Sequence, residues 1–190
     1  PCEVQSLPAY VDIIRNGGLT HSLKPVSSDD LLGRDKVDLD IPEIASAYRG
    51  KSVLISGAGG SIGSELCRQI LSCAPRRIVL FERSEFALYS LDREIQPLAA
   101  EAGVEVATVL GSVCDSTRVT STLMQYEVEI VLHAAAYKHV PLVEENELEG
   151  VRNNIFGTRV LAEAASEMGC ERFILISTDK AVRPTNVMGS

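Results

Sequence analysis

The chain has 190 residues, a hydrophobic share of 45% and a charged share of 23%, which is the composition of a globular protein with one sizeable core. Its net charge of -8 and its aromatic share of only 5% argue against a nucleic-acid-binding surface. No run of 18 apolar residues is present, so this chain itself is not expected to contact a membrane. The five cysteines form no CxxC pair and the three histidines show no ligand spacing, so neither a metal site nor a disulfide framework is expected.

Residues 1–45 are predicted to be a linker or packing arm rather than a domain. They contain four of the eight prolines, which divide the segment into short pieces. Short helices are expected at residues 8–16 and 28–32, where each is followed by glycine. A further helix is expected from about Pro42 to Tyr48, closed by Gly50.

From Lys51 onward, short apolar runs alternate with amphipathic stretches. Strands are expected at residues 52–56, 78–81, 104–110, 130–133 and 173–177. Helices are expected at about residues 64–71, 85–100, 117–126 and 148–168. Because such apolar strands are buried on both faces, the pattern predicts a doubly wound parallel sheet of the α/β class.

A glycine loop lies directly between the first of these strands and the first helix. Gly57 would permit a tight turn, Gly60 would let the backbone approach a pyrophosphate, and Gly63 would allow close helix packing. The helix start at Ser61 and Ile62 would offer free N–H groups to phosphates. In this strand–loop–helix context, the loop predicts a dinucleotide-binding site, with a purely structural turn as the alternative.

Glu82 ends the second strand, 19 residues after Gly63, where a carboxylate commonly binds the adenosine ribose. A carboxylate repels a 2′-phosphate, so Glu82 favours NAD as cofactor. Arg83 follows at once and could pair with the 2′-phosphate of NADP, so NADP stays open.

The glycine spacing resembles the extended short-chain dehydrogenase/reductase family, and later stretches resemble its polysaccharide-biosynthesis branch, which contains UDP-N-acetylglucosamine 4,6-dehydratases. The stretches that carry the resemblance are residues 111–113, 133–141, 153–158 and 177–189. The resemblance implies a Rossmann-type NAD(P)-binding domain over residues 46–190, incomplete at its C-terminal end and truncated before the substrate-binding region.

The same resemblance implies the remaining site residues. Those that would contact the cofactor are Ser112, Val113, Ala134, Ala135, Lys138 and Asn154. Two of these keep an alternative: Lys138 as a solvated loop lysine, and Asn154 as a local helix bridge. The residues that would form the catalytic centre are Thr178, Asp179, Lys180 and Met188.

In the implied chemistry, hydride leaves C4 of a UDP-N-acetylhexosamine, the C5 proton is removed, the C6 hydroxyl leaves as water, and hydride returns to C6. Thr178 would orient the 4-hydroxyl, Asp179 would be the acid and Lys180 the base. Met188 stands where short members of the branch have tyrosine, as it does in their long membrane-attached relatives, and a thioether cannot transfer protons. Tyr137 carries a phenol that could partly substitute for the missing tyrosine.

The resemblance therefore implies a lyase for surface polysaccharide synthesis, in an oligomeric parent protein attached to the inner membrane with this part in the cytoplasm. Two alternatives stay open: an epimerase or dehydrogenase of the same family, and a dinucleotide-binding domain without turnover. Because the chain begins at Pro1 and the motif's lysine would follow Ser190, it is expected to be an inactive fragment.

Overall fold

The computed structural model describes residues 5–6, 24–25 and 42–189, and the chain divides into two units, Pro1–Leu39 and Asp40–Ser190. In the first unit, strand β1 (Gln5–Ser6) pairs antiparallel with β2 (Lys24–Pro25), which the sequence did not predict. The helices predicted at residues 8–16 and 28–32 lie outside the described residues. The assignment of residues 1–45 as a linker arm stays a prediction.

The second unit alternates strands and helices along the chain. Its elements are α1 (Pro42–Tyr48), β3 (Ser52–Ser56), α2 (Ser61–Ser72), β4 (Arg77–Glu82), α3 (Glu85–Ala102), β5 (Glu105–Leu110), α4 (Ser116–Gln125), β6 (Ile130–His133), α5 (Val140–Glu144), α6 (Glu147–Gly150), a π-helix (Val151–Gly157), α7 (Thr158–Glu167), β7 (Arg172–Leu175) and two 3₁₀ turns (Asp179–Ala181 and Val187–Gly189). The strands form one parallel sheet in the order β5-β4-β3-β6-β7.

The central strands β3, β4 and β6 are covered on both faces of the sheet, which is why their sequences are largely apolar. Val53 and Ile55 of β3 pack in one core layer with residues of α2 and α3. Leu54, between them in sequence, points to the other face and packs with residues of α4 and α7. Since successive residues of a strand face opposite sides, a strand with two covered faces needs apolar residues at every position. The predicted doubly wound parallel sheet is confirmed.

The register of the sheet brings the carboxyl ends of the central strands to one edge. Ser56 pairs with Phe81 on one side and with His133 on the other, and Glu82 pairs with Leu110. Ligands of open α/β sheets bind at this edge, where neighbouring connections leave the sheet in opposite directions. The loops after β3, β4 and β6 therefore form the place to look for a site.

The structure corrects several predicted boundaries. The helix predicted at residues 148–168 is α6, a π-helix and α7 in succession. Helix α5 was missed because its five residues are too few to show a period, although Pro141 in its first turn is a typical start signal. Strand β7 ends at Leu175, two residues early. Within the described parts of the chain, no helix has both the length and the hydrophobicity to cross a bilayer.

Candidate functional site

The glycine loop after β3 is shaped by contacts that exclude side chains. Gly57 has a φ of 65°, and a Cβ there would lie 2.7 Å from the Cα of Ala135 in the loop after β6. A Cβ on Gly63 would lie 2.0 Å from the Gly57 carbonyl oxygen. Such distances are far below van der Waals contact, so both positions require glycine. The predicted roles of these two glycines, a tight turn and close packing, agree with this geometry.

Gly60 stands at the start of α2 and is exposed to solvent. It is the N-cap residue, with no side-chain hydrogen bond to the first turn, and a Cβ there would approach only the Gly57 carbonyl oxygen, at 3.2 Å. The helix that follows has 12 residues, long enough for its first N–H groups and its dipole to attract an anion. The loop thus offers backbone donors at a point where no side chain blocks an approaching phosphate.

Glu82 is a buried acceptor for the backbone, with 8% of its surface exposed. Its Oε2 accepts from the N–H of Gly59 at 3.1 Å, and its Oε1 accepts from the N–H groups of Arg83 and Ser84, both at 2.9 Å. A carboxylate oxygen has two lone pairs, so Oε1 is fully used and Oε2 keeps one. The carboxylate predicted to bind a ribose therefore first ties the glycine loop to β4.

A cleft with a volume of about 260 Å³ lies between these loops. Seven of the predicted cofactor-binding residues line it: Gly57, Gly60, Glu82, Arg83, Val113, Ala134 and Ala135. Sequence reasoning did not assign six of the other lining residues to the cofactor: Gly59, Phe81, Ala87, Ala136, Tyr137 and Asn153. The seventh, Gly111, belongs to the stretch 111–113 that carries the resemblance, and its N–H donates to the Glu82 carbonyl at 2.9 Å.

The other predicted cofactor residues lie elsewhere. Ser61, Ile62 and Gly63 form the start of α2, next to the cleft but outside its lining. The Ser112 hydroxyl accepts from the Cys114 N–H at 3.2 Å, inside its own turn. Lys138 lines a neighbouring cavity of about 370 Å³ that shares Ala136 and Tyr137 with the cleft. The sixth residue, Asn154, is turned toward the backbone of the loop after β6.

The Asn154 side chain holds both backbone polar groups of Tyr137. Its Oδ1 accepts from the Tyr137 N–H at 2.8 Å, and its Nδ2 donates to the Tyr137 carbonyl at 2.9 Å. It also accepts from Nδ2 of Asn153, the neighbour that does line the cleft, at 3.0 Å. Asn154 therefore bridges to another segment, 17 positions away in sequence, rather than locally within its helix, and its contact with the cofactor stays a prediction.

Arg83 and Tyr137 meet across the cleft, although they follow different strands. The Arg83 guanidinium donates to the Tyr137 hydroxyl, and its central carbon lies 5.4 Å from the centroid of the ring. Glu149 completes the group, 3.8 Å from Nη1 of Arg83. Burial raises the pKa of Tyr137, against the lowering effect of Arg83, so the phenol keeps its proton at neutral pH. The side chains of β4 and β6 loops thus bridge the mouth of the cleft.

The predicted acid and base form an exposed pair after β7. Lys180 Nζ lies 3.7 Å from Oδ1 of Asp179, and 51% and 91% of the two side chains are exposed. The Thr178 hydroxyl donates to the same Oδ1 at 3.1 Å. This hydrogen bond, and then the Lys180 charge, lower the pKa of Asp179, whereas a general acid needs a raised one. In this segment the two groups therefore lack the burial that would raise the pKa of an acid and lower that of an amine.

Met188 belongs to a 3₁₀ turn that folds back over the same segment. A Cβ on Gly189 would lie 2.1 Å from the Lys180 carbonyl oxygen, so glycine is needed where the two turns cross. The Val187 N–H donates to the Glu144 carboxylate of α5 at 2.6 Å. Met188 itself is half-buried. The four predicted catalytic residues are thus neighbours, and α5 holds them near the loop after β6.

Metal ligation has no visible basis in the part of the chain that is described. No cluster of three or more His, Cys, Asp or Glu side chains with suitable geometry occurs among those residues. The four described cysteines are free: Cys67, Cys73, Cys114 and Cys170.

Comparison with known proteins identifies the family of this fold and loop. A family model described as polysaccharide biosynthesis protein matches residues 53–190. The chain belongs to this family. Its expected place in the CapD-like branch of the extended short-chain dehydrogenase/reductases is confirmed, since it is 42% identical to the capsular polysaccharide biosynthesis protein CapD of Staphylococcus aureus over 99% of the chain.

Two further relatives of this polysaccharide biosynthesis chain carry informative names. An uncharacterized membrane protein, MJ1061, of Methanocaldococcus jannaschii is 40% identical over 78% of the chain and 42% of its own length. The inverting UDP-N-acetylglucosamine 4,6-dehydratase of Campylobacter jejuni is 31% identical over 75% of the chain and 41% of its own length. The chain spans about a third of CapD, namely 31%.

Solved structures support the Rossmann-type fold. The X-ray structure of Pen from Bacillus thuringiensis has a TM-score of 0.69 and 31% identity, over 75% of this chain and 43% of that one. A UDP-glucose-4-epimerase from Stenotrophomonas maltophila, crystallised with NAD and formylated UDP-arabinopyranose, has a TM-score of 0.59 over 69% of this chain and 38% of its own. At 22% identity, the latter likeness concerns the fold alone.

Proposed function

We propose that this chain is the dinucleotide-binding part of a nucleotide-sugar 4,6-dehydratase, a lyase that acts on a UDP-N-acetylhexosamine in surface polysaccharide synthesis. The observation that carries the proposal is the glycine loop with its cleft: Gly57 and Gly63 must be glycine, and Gly60 leaves the start of α2 open. The family membership and the dehydratase relative from Campylobacter jejuni support the substrate class.

The residues around the cleft fit a nicotinamide dinucleotide. The first N–H groups of α2, beyond Gly60, would hold the pyrophosphate. Glu82 has one lone pair left on Oε2 for a ribose hydroxyl, because three backbone N–H groups use the others. Arg83 is half-exposed at the same edge and could instead pair with a 2′-phosphate. We therefore propose NAD as cofactor with NADP as the alternative.

The cofactor would supply the hydride acceptor at the start of the reaction and the donor at its end. The chain's own residues would move the protons: Lys180 would take the C5 proton of the sugar, and Asp179 would protonate the departing C6 hydroxyl. Both groups are exposed and mutually attracted here, so we propose that bound sugar must bury them. Burial would raise the pKa of the acid and lower that of the amine, as their roles require.

Cofactor binding can be tested on the chain itself. Gly60→Ala adds a methyl group that meets only the Gly57 carbonyl oxygen, at 3.2 Å, on the open side of the loop. We expect this variant to lose only about 1 kcal/mol of stability, because alanine is a poorer N-cap than glycine, and to bind NAD at least tenfold more weakly in calorimetric titration. Unchanged affinity would contradict the assignment of the loop.

Proton abstraction can be tested in the full-length protein. With UDP-N-acetylglucosamine in D₂O, Lys180→Ala should retain cofactor binding and lose deuterium exchange at C5 by at least about 100-fold. Arg183→Gln is the matched control, because it removes a cation of the same exposed segment that has no proposed role. Retained exchange in Lys180→Ala would exclude Lys180 as the base.

A dinucleotide-binding domain without turnover is the second candidate. The lowered pKa of Asp179 and the exposure of Lys180 favour it, because neither group has the environment that its proton transfer needs. Full-length protein that binds NAD but releases no 4-keto product from any UDP-hexosamine would support this candidate. An epimerase would instead return a C4 epimer without loss of water. Membrane attachment and oligomerisation of the parent protein stay proposals.

A further inference from the structure

A buried chain of hydrogen bonds runs from the central strand to the helix behind the cleft. The Ser56 hydroxyl lies 2.6 Å from Nδ1 of His133, and Nε2 of His133 lies 2.8 Å from the Thr158 hydroxyl. The Thr158 hydroxyl donates to the Asn154 carbonyl at 2.6 Å. Ser56 and His133 are both at most 1% exposed, so water does not compete for these bonds.

The donor and the acceptor of each hydrogen bond in this series follow from the position of the Thr158 hydroxyl proton. A carbonyl oxygen can only accept, so the single hydroxyl proton of Thr158 goes to Asn154. The Thr158 oxygen must then accept from His133, which places the imidazole proton on Nε2. Nδ1 is left as an acceptor for the Ser56 hydroxyl. Because burial lowers the pKa of this imidazole to about 4, the ring is neutral at pH 7, and its single proton is then the one on Nε2.

This series of hydrogen bonds ends at Asn154, the residue whose side chain holds Tyr137 at the side of the cleft. Thr158 is the first residue of α7, directly after the π-helix Val151–Gly157, and a π segment in a helix is often a functional device. In this segment, Asn153 lines the cleft while its neighbour Asn154 holds the backbone of Tyr137 on both sides. Tyr137 in turn lines both cavities and binds Arg83.

We propose that His133 is a positioning residue: through Thr158 and Asn154 it fixes the backbone of Tyr137, and with it the wall that a dinucleotide contacts. The cofactor part of this inference rests on the proposed function. Tyr137 belongs to a loop rather than a strand, so without this network its described polar contacts would be those of its side chain with Arg83 and Glu149. A dinucleotide would then have to order the wall as it binds, and would bind more weakly.

Thr158→Val tests the link, because valine keeps the shape of threonine and lacks its hydroxyl. We expect the backbone N–H of Tyr137 to exchange with deuterium at least about fivefold faster in NMR spectra without ligand, and NAD affinity to fall about fivefold, the effect of one lost hydrogen bond. Thr158→Ser restores the hydroxyl and should restore both values. Unchanged Tyr137 exchange in Thr158→Val would overturn the proposal.

Thr122→Val is the matched control. The Thr122 hydroxyl donates to the Arg118 carbonyl at 2.7 Å, the same four-residue step within a helix, and Thr122 is 1% exposed. We expect the Thr122→Val variant to lose stability without a change in the deuterium exchange of the Tyr137 N–H or in the affinity for NAD. An equal effect of Thr122→Val would mean that general loosening explains both variants, which would also overturn the proposal.

One measurement on the wild type is independent of any variant that fails to fold. The ¹⁵N shifts of the His133 ring should show the proton on Nε2, and a proton on Nδ1 would overturn the relay. The two proposals can also fail separately. Wild-type chain that binds neither NAD nor NADP would overturn the proposed function, whereas the ring shifts and the Tyr137 exchange decide the relay.

Discussion

Acid should destabilise the fold through His133. Burial lowers the pKa of its imidazole to about 4, from 6.5 in an unfolded chain, and its described contacts are the uncharged Ser56, Thr158 and Phe173. Between pH 6.5 and 4, the imidazole of His133 is therefore protonated in the unfolded state but not in the folded state. The contribution to stability is complete above pH 6.5 and is lost as the pH falls toward 4. At 1.36 kcal/mol per pKa unit, the loss amounts to about 3 kcal/mol.

Urea denaturation at a series of pH values from 7.5 to 4 measures this loss. Carboxylates titrate in the same window, so the informative quantity is the difference in unfolding free energy between the wild type and His133→Gln, which cannot gain the charge. This difference should shrink by about 3 kcal/mol as the pH falls. His139→Gln removes an exposed histidine and should run parallel to the wild type. A constant difference for His133→Gln would refute the reasoning.

Three further substitutions probe the loop and the cofactor preference. Gly57→Ala should cost about 3 kcal/mol or more and abolish NAD binding, whereas Gly103→Ala, with a similar φ of 69° but open space around it, should cost about 1 kcal/mol in the same denaturation assay. Glu82→Gln should lower the unfolding free energy by about 2 kcal/mol even without ligand, because an amide has one acceptor oxygen for three N–H donors. Arg83→Ala should weaken NADP about tenfold while NAD changes less, as compared by calorimetry.

Each of these three has a result that would count against it. Equal losses for the two glycine variants would mean that backbone strain alone explains Gly57. Full stability in Glu82→Gln would mean that the carboxylate serves only a ligand. Equal changes in NAD and NADP affinity would mean that Arg83 contributes to closure of the cleft and not to the choice of cofactor.

The sheet could be predicted from the sequence because its signal is local. Runs such as residues 52–56 and 130–133 are buried along their whole length and mostly apolar, with serine or histidine only at their ends, as a strand covered on both faces requires. The glycine loop was predictable for the same reason, since a tight turn and a helix start impose residue types at fixed spacing. The contact of Gly57 with Ala135 could not be predicted, because it depends on how the loops after β3 and β6 meet.

The rest of the site depends on groups that lie far apart in sequence. Nothing in the stretch 148–168 reveals the π-helix, because its seven residues are too few to change the apolar spacing of the whole stretch, so the different orientations of Asn153 and Asn154 were hidden. The state of Asp179 also could not be read from its residue type, because its pKa is lowered by the hydrogen bond from Thr178 and by the Lys180 charge. The bridge between Arg83 and Tyr137 joins residues 54 positions apart and leaves no local pattern.

The three backbone hydrogen bonds that Glu82 accepts have a consequence for redesign of this site. Cofactor preference in such folds is commonly attributed to the acid at the end of the second strand. Here that acid also closes the glycine loop, so its replacement would alter foldability and selectivity together. Arg83 would contact a nucleotide through its exposed side chain. Only its backbone N–H donates to Glu82, and every residue except proline has this donor. Selection for a different nucleotide can therefore proceed at position 83 while position 82 stays fixed.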